Sequence, residues 1–300
     1  MTAVLEMQDV HKSFGSKHVL RGLSFSLDEG QTLVILGQSG SGKSVTLKHL
    51  VGLLAADRGR VLVKGVDMAS ADREQIAGVR RQVAYLFQSG ALVNWMTVRE
   101  NVALPLVEGR RVPAGEVRGK VDEALASLEL TEAAEQLPEQ ISGGMRKRAA
   151  LCRVLVQDPA VVLYDEPTGG LDPILGRTVA DLILQMQGHE EPARRDARKA
   201  GATPGPRERP EAHAPKDTRG SPASRGPPGD AVRRTAVVVT HDLELAFELA
   251  GAEGGLIALH NEGQLTELGP LQDFRRSKHP VIRAFLDGVR AGEAGPPPSR

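Results

Sequence analysis

A glycine-rich segment with one lysine has the most specific chemical pattern in this 300-residue sequence. It fits G-x-x-x-x-G-K-[ST] and consists of Gly37, Gln38, Ser39, Gly40, Ser41, Gly42, Lys43 and Ser44. Glycines let successive backbone N–H groups converge on phosphate oxygens at a helix N-terminus. A lysine there adds charge near the β and γ phosphates, and a serine hydroxyl can bind Mg²⁺. The segment therefore predicts a nucleotide phosphate site.

Two adjacent carboxylates, Asp165 and Glu166, follow an apolar run of strand length. Adjacent side chains of an extended chain point in opposite directions, so the two cannot share one role. We expect Asp165 to hold Mg²⁺ together with Ser44, and Glu166 to polarise the water that attacks a γ-phosphate. A strand that merely meets solvent could also end in Asp-Glu, but the phosphate segment favours the catalytic interpretation.

A second glycine-containing turn, formed by Ser142, Gly143 and Gly144, precedes a predicted helix. Ser142 suits a helix N-cap, which is the simple structural explanation. Two consecutive glycines in that place are costly unless a backbone or a ligand must approach closely. Free N–H groups and the positive end of the helix dipole would bind an anion. The turn is therefore predicted to face a phosphate that another copy of the chain holds.

The elements that must position these residues are a parallel sheet and its helices. Unbroken apolar runs, typical of central strands covered on both faces, occur at residues 32–36, 160–164 and 236–239. Ligands of open α/β sheets bind beyond the carboxyl ends of the strands, so the three runs predict one shared site. In the N-terminal region, Leu23, Phe25 and Leu27 alternate with serines, which predicts antiparallel β structure.

Composition changes twice along the rest of the chain. Helical periodicity replaces strands between about residues 89 and 158, which predicts an inserted helical lobe. Residues 188–230 contain no Val, Ile, Leu, Met or aromatic residue and are rich in Pro, Arg, Ala and Gly. Such a segment cannot bury enough apolar surface to offset its ordering entropy, so a disordered insertion is predicted over about 188–234.

Charge and cysteine content exclude several classes of protein. Lys plus Arg (38) equal Asp plus Glu (38), so no overall basic field attracts the chain to nucleic acid. The single cysteine, Cys152, cannot form an internal disulfide, and the N-terminus does not have the pattern of a signal peptide. The apolar runs are far shorter than the roughly 20 residues that cross a bilayer. We expect a cytoplasmic protein whose membrane role, if any, is exercised through a partner.

The order of the motifs resembles that of the ATP-binding cassette (ABC) ATPases. The phosphate segment is followed by Gln88, the Ser-Gly-Gly turn, the Asp165–Glu166 pair, Asp172 and His241. The resemblance covers about residues 4–268 apart from the insertion. It implies an α/β P-loop NTPase fold of the ABC type, with an N-terminal antiparallel β subdomain, a parallel core sheet and an inserted helical subdomain. Residues 1–268 would be the ATPase domain, and 269–300 a helical extension with a flexible tail.

The same resemblance implies a role for each motif residue. Phe14 would stack on adenine, Gln88 would touch Mg²⁺ or the attacking water and couple to a permease, and His241 would hold the γ-phosphate. Across a dimer, the γ-phosphate would be contacted by Ser142, Gly143 and Gly144, and Asp172 would link the two sites. Simpler explanations exist for three of these residues: a core position for Phe14, a helix N-cap for Asp172 and a structural role for His241.

A narrower resemblance is to the ATPases of Mla- and Mce-type lipid transporters. It rests on Met145, on the sequence Phe-Gln-Ser-Gly-Ala-Leu at 87–92 and on residues 281–288. It implies ATP and Mg²⁺ as ligands, a homodimer on the cytoplasmic face of the inner membrane, permease subunits, an Mce-type substrate-binding protein and a phospholipid or related hydrophobic substrate. The long insertion departs from that pattern.

Three alternatives remain open at this stage. One is a soluble cassette ATPase of DNA repair or translation, although such proteins usually carry paired cassettes, long coiled coils or zinc-ligand cysteines. Another is a nucleotide-regulated module without hydrolysis, which the intact Glu166 disfavours. The third is a cassette subunit that serves another transported substrate.

Overall fold

The computed structural model describes residues 3–38, 40–109, 112–171, 173–187 and 234–292. The strands within these ranges are β1 (Leu5–Phe14), β2 (Lys17–Leu27), β3 (Thr32–Leu36), β4 (Arg58–Val63), β5 (Val66–Asp67), β6 (Val83–Leu86), β7 (Val161–Asp165), β8 (Thr235–Thr240), β9 (Gly255–Asn261) and β10 (Gln264–Gly269). The helices are α1 (Lys43–Leu50), α2 (Arg73–Gln82), α3 (Val98–Glu108), α4 (Ala114–Ser127), α5 (Gly143–Leu155), α6 (Pro173–Met186), α7 (Leu243–Gly251), α8 (Leu271–Arg276) and α9 (Pro280–Gly292).

The strands form two sheets. The smaller one is antiparallel with the order β2-β1-β4-β5, which agrees with the alternation seen in the sequence. Leu23, Phe25 and Leu27 of β2 are buried, whereas the serines between them are exposed. One face of this sheet therefore packs on the core and the other meets solvent.

The larger sheet has the order β10-β9-β3-β8-β7-β6, and all its neighbouring pairs are parallel except β10 with β9. Every residue of β3, β7 and β8 is buried, as expected for strands covered on both faces. Because these three strands are neighbours, their carboxyl ends meet at one edge of the sheet. The prediction of a parallel core sheet is confirmed, and its three strand ends are arranged as the predicted shared site requires.

Three helices, α3, α4 and α5, occupy most of the stretch predicted to be a helical lobe. Thr97 begins α3 with a capping box, since its side chain accepts from the backbone N–H of Glu100 and the Glu100 carboxylate accepts from the N–H of Thr97. An apolar stripe along α4 and the residue that follows it is buried, and it consists of Val121, Leu125 and Leu128. Burial of this stripe against the other helices positions the start of α5, which carries the second glycine turn.

No helix in the described ranges is both long and apolar enough to cross a membrane. The predicted disordered insertion lies outside the described residues, except for Arg234, and so does the end of the predicted C-terminal tail, residues 293–300. Within the preceding extension, Phe274 of α8 and Ile282 of α9 are buried in the core.

We predict that the fold tolerates replacement of residues 188–233 by a short Gly/Ser linker. The two ends of the insertion already meet, because the Arg234 guanidinium donates to the carbonyl of Met186 at 3.0 Å and also pairs with Asp158. Shortening a loop changes its closure entropy by only about 0.6 kcal/mol per twofold change in length. Thermal unfolding and ATP hydrolysis should both match the full-length chain. A folded deletion variant that no longer hydrolyses ATP would contradict this prediction.

Candidate functional site

The phosphate segment leaves the carboxyl end of β3 and leads directly into α1. Gly42 has a φ of 116° and forms the N-cap of α1, a backbone conformation that favours glycine. A Cβ at this position would lie 2.9 Å from Cγ1 of Val19, so space is limiting as well. Ser39 lies outside the described residues. The segment therefore curls tightly around the start of a helix, where backbone N–H groups can bind anions.

Lys43 is the first residue of α1 and its side chain is only 5% exposed. Its ammonium donates to the carbonyls of Gly37 at 2.7 Å and Gln38 at 3.1 Å, and lies 3.3 Å from Oε1 of Glu166. A buried charge is stable only when it is paired and hydrogen-bonded, and here both conditions are met. The lysine is thus held inside the curl of the phosphate segment.

Asp165 ends β7 and is tied to two hydroxyls. The Ser44 hydroxyl donates to Oδ1 at 2.7 Å, and the Tyr85 hydroxyl donates to Oδ2 at 2.9 Å. Burial, with help from the neighbouring Asp165 charge, raises the pKa of Tyr85 well above its usual value, so Tyr85 remains a donor. The prediction that Ser44 and Asp165 act together agrees with this contact. A hydroxyl beside a carboxylate supplies the oxygen ligands that Mg²⁺ prefers in nucleotide sites, so the residues present fit that ion.

Glu166 points to the other side, as expected for adjacent residues of a strand end. Its Oε2 accepts from Nδ1 of His241 at 2.7 Å and from the His241 backbone N–H at 3.2 Å. The backbone of Glu166 has a φ of 49°, an uncommon conformation for a residue with a side chain. Such strain persists where surrounding structure imposes it, and it places the buried Glu166 carboxylate between Lys43 and His241.

The second glycine turn has the local structure expected of a helix start. The Ser142 hydroxyl accepts from the backbone N–H of Met145 at 3.2 Å and so caps α5, and both Ser142 and Gly143 are exposed. Among the described residues, no hydrogen bond or ion pair joins the three residues of this turn to the phosphate segment of the same chain. The start of the turn is therefore accessible at the surface.

The structure says least about two of the predicted site residues, Gln88 and Asp172. Gln88 is exposed and follows β6, the neighbour of β7. Asp172 lies outside the described residues, just before α6. By contrast, Asp242 is well placed as the N-cap of α7, since it accepts from the N–H of Leu245 at 3.2 Å. The Thr168 hydroxyl also donates to Asp242, at 2.9 Å, and so connects the segment after Glu166 to the start of α7.

Phe14 ends β1 and is 48% exposed, which excludes an ordinary core position. Its chain segment is fixed by Asp57, whose carboxylate accepts from the Lys12 ammonium and from the Ser13 N–H, each at 2.7 Å. These contacts, chiefly that with Lys12, lower the pKa of Asp57. Lys12 in turn lies 5.6 Å from the centre of the Phe14 ring. The aromatic ring is thus displayed on a pinned strand end, in a position open to a ligand.

Sequence reasoning missed three polar residues around the site: Tyr85, Lys147 and Asp57. Tyr85 could have been found as the only hydroxyl-bearing residue of the short apolar strand β6. Lys147, on α5, donates to the carbonyl of Glu166 at 3.4 Å, and burial lowers its pKa. No pattern in the sequence connects Asp57 to Lys12 and Ser13, because these contacts depend on how β1 meets the loop before β4.

Comparison with known proteins gives a consistent picture. The family model described as ABC transporter matches residues 20–169. The chain is 34% identical to TRIGALACTOSYLDIACYLGLYCEROL 3, a chloroplastic protein of Arabidopsis thaliana, over 96% of this chain and 75% of the relative. It is 33% identical to the probable ribonucleotide transport ATP-binding protein mkl of Mycobacterium tuberculosis, over 98% and 69%. The Escherichia coli intermembrane phospholipid transport system ATP-binding protein MlaF is 29% identical, over 96% and 90%.

A solved structure extends the comparison to the fold and to the assembly. A dimeric ATP-binding cassette in a post-hydrolysis state, bound to ADP and Pi, superposes with a TM-score of 0.66. The match has 25% sequence identity and covers 89% of this chain and 98% of that one. The P-loop fold predicted from the sequence is therefore confirmed.

We predict that Phe14→Ala weakens nucleotide binding. Stacking of a base on an aromatic ring contributes roughly 1–3 kcal/mol, so the dissociation constant for ATP should rise about tenfold. Phe14→Tyr is the matched control, because it keeps the ring and should bind almost as tightly as the wild type. Fluorescence titration with a labelled ATP analogue measures both variants. An unchanged affinity in Phe14→Ala would remove Phe14 from the site.

Proposed function

This chain belongs to the ABC transporter family and is an ATPase of that family, and we propose that it energises the movement of a phospholipid or a related hydrophobic molecule between membranes. The single observation that carries the ATPase assignment is the buried ion pair of Lys43 and Glu166, whose carboxylate also contacts the exposed His241, at adjoining strand ends. The lipid assignment is supported by the name of one relative, MlaF, and by Met145 and the other features that resemble lipid-transporter ATPases.

We infer that the γ-phosphate of ATP replaces Glu166 as the partner of Lys43 and His241. Both oxygens of the Glu166 carboxylate are engaged in the present arrangement, one by each of these residues. When phosphate oxygens attract the two side chains, the carboxylate becomes free to accept a proton from water. That water attacks the γ-phosphorus, the bond to the ADP oxygen breaks, and phosphate and ADP are the products.

Ser44, Asp165 and Gln88 are the residues that we propose to hold Mg²⁺. Ser44 and Asp165 are already in contact, and Gln88 follows the neighbouring strand. When bound, Mg²⁺ would neutralise charge on the β and γ phosphates. Tyr85 keeps Asp165 oriented toward Ser44, since it occupies the other carboxylate oxygen.

We propose a homodimer with composite sites. The exposed turn of Ser142, Gly143 and Gly144 would contact the γ-phosphate held by the partner subunit, and Asp172 would link the two sites. Support comes from the exposure of Ser142 and Gly143 and from the dimeric state of a similar solved structure. Closure of the dimer around bound ATP would then be coupled to the transport step.

A permease-binding surface is proposed around Trp95, whose side chain is 81% exposed. The loop that carries it is rigid, because the fully buried Asn101 side chain accepts from the N–H of Val93 and donates to the carbonyls of Val93, Met96 and Thr97. An exposed tryptophan on a fixed loop is typical of an interface anchor.

The same loop continues from Gln88. Arg153 of α5 donates to the carbonyls of Gly90 at 2.7 Å and Ala91 at 2.8 Å, which pins the chain between Gln88 and the loop of Trp95. A permease bound at Trp95 would therefore be mechanically connected to the nucleotide site. Through that permease, the ATPase would lie on the cytoplasmic face of the inner membrane, in a complex that includes an Mce-type substrate-binding protein.

Trp95→Ala is expected to reduce recovery of the permease with the tagged ATPase several-fold, since a large apolar anchor is lost. ATP hydrolysis by the isolated subunit should stay at the wild-type rate. Leu268→Ala removes an exposed apolar residue from β10 and is the control. Equal permease recovery in both variants, measured by quantitative mass spectrometry of membrane extracts, would place the interface elsewhere.

The transported substrate is tested by purifying the whole complex from membranes and extracting its bound molecules. Phospholipid that co-purifies with the complex, and ATP-dependent transfer of labelled phospholipid between vesicles, would support the proposal. ATP-dependent transfer of a labelled ribonucleotide across the membrane without transfer of phospholipid, as the name of the mycobacterial relative suggests for that protein, would contradict it.

Glu166→Gln is expected to lower the ATPase kcat by roughly 100-fold or more, because loss of a general base typically costs 10²–10⁴. ATP affinity should be retained, since Lys43 and the phosphate segment remain. Glu267→Gln is the matched control: Glu267 is exposed on β10 and shares the left-handed backbone of Glu166, with a φ of 48°. Equal steady-state rates for wild type and Glu166→Gln would exclude Glu166 from the mechanism.

A further inference from the structure

His260, near the end of β9, lies directly against the phosphate segment although no motif includes it. Its side chain is buried, with 2% of the residue exposed. A Cβ at Gly37 would lie 2.8 Å from the carbonyl oxygen of His260 and 3.3 Å from its Cβ. A Cβ at Gly42 would lie 3.2 Å from the imidazole Cε1. Both ends of the glycine segment therefore rest on this one residue.

The imidazole has no hydrogen-bond partner at either nitrogen among the described residues. Burial, reinforced by the charge of Lys43, lowers the pKa of His260 to about 4, so the ring is neutral near pH 7 and has one N–H donor and one acceptor. An unpaired buried polar group costs free energy, and an apolar side chain would fill the same space without that cost. The unpaired nitrogens therefore require an explanation.

A second unpaired group lies close by. The Ser41 hydroxyl also lacks a partner within the described part of the chain, and it would lie 3.2 Å from a Cβ at Gly37. Ser41 and His260 thus both lie close to the same glycine, Gly37. Both also line a cavity of about 670 Å³, together with Gln38 and Gly40 of the phosphate segment. The cavity is large enough for part of a nucleotide, and two unpaired polar groups at its wall point to a bound state in which they are satisfied.

We propose that His260 is a positioning residue of the nucleotide site: when nucleotide enters the phosphate segment, its imidazole pairs with the Ser41 hydroxyl and locks the segment in its phosphate-binding curl. The pair would then hold the loop between Gly37 and Gly42 against β9. This inference rests on the proposed use of the phosphate segment for ATP. It adds His260 of β9 as a residue that supports the segment.

The pairing predicts an effect on binding rather than on the chemical step. His260→Leu, which keeps the bulk but removes both nitrogens, should raise the dissociation constant for Mg-ADP and the KM for ATP about three- to tenfold, with kcat changed less than twofold. His260→Gln keeps a donor and an acceptor, so it should recover most of the affinity. Affinity that is unchanged in His260→Leu, or equally weakened in both variants, would overturn the inference.

A double-mutant cycle with Ser41→Ala tests the proposed partner. If the two side chains pair, His260→Leu should weaken Mg-ADP binding much less in the Ser41→Ala background than in the wild type. Equal weakening in both backgrounds would show that His260 acts without Ser41 and would contradict the proposal. In ¹⁵N-histidine NMR spectra, the His260 ring resonance, assigned by its loss in His260→Gln, should shift on addition of Mg-ADP and should shift little in Ser41→Ala.

Two further variants separate this inference from loss of the fold and from failure of the proposed function. His49 of α1 is another fully buried histidine with an unpaired ring nitrogen, and its Nδ1 contacts the carbonyl of Val45. His49→Leu therefore reports the effect on thermal unfolding of removing a buried imidazole, and it should leave Mg-ADP affinity unchanged. Lys43→Ala tests the phosphate segment itself. Weak binding by Lys43→Ala with normal binding by His260→Leu would overturn only the role of His260, whereas normal binding by Lys43→Ala would overturn the proposed site.

Discussion

The ion pair between Lys43 and Glu166 is the interaction on which the rest of the site depends. The two groups meet 3.3 Å apart, with side chains that are 5% and 9% exposed, at a place that water hardly reaches. Removing one partner of such a pair leaves a buried charge uncompensated, at a cost of about 3–5 kcal/mol. A γ-phosphate can compensate the lysine just as a carboxylate does. In the proposed mechanism Glu166 is thus a substitute for the ligand, and exchange of one anion for the other would release the proposed catalytic base.

The sheet makes that exchange possible because it brings three strand ends together. Lys43 follows β3, Glu166 follows β7, and His241 follows β8, which lies between them. Hydrogen bonds from surrounding elements then fix the orientations: Tyr85 of β6 holds Asp165, and Thr168 holds the start of α7 through Asp242. A rigid parallel core with loops at its carboxyl edge is the arrangement in which α/β proteins bind ligands.

Much of this could be predicted from sequence because the informative residues are contiguous. Buried parallel strands appear as unbroken apolar runs, and a phosphate loop needs glycine and lysine at fixed spacing. The supporting residues could not be predicted, because each lies far in the sequence from its partner. Tyr85, Asp57 and His260 act through partners 80, 44 and more than 200 positions away, so only the folded chain brings them together. For residues 188–230, which follow α6, only the composition supports a prediction. They lack the apolar residues whose spacing would indicate a helix or a strand.

In the proposed dimer two copies of the chain share each nucleotide, and a mixing experiment tests this sharing most directly. One variant, Lys43→Ala, disables the phosphate segment of its subunit. The other, Ser142→Glu, places a carboxylate that repels phosphate on the exposed turn at the start of α5. Each variant alone should be inactive. In a mixed dimer, one site combines both defects and the other combines two intact halves, so an equimolar mixture should regain about a quarter of the wild-type ATPase rate. A mixture no more active than its two components would contradict the account.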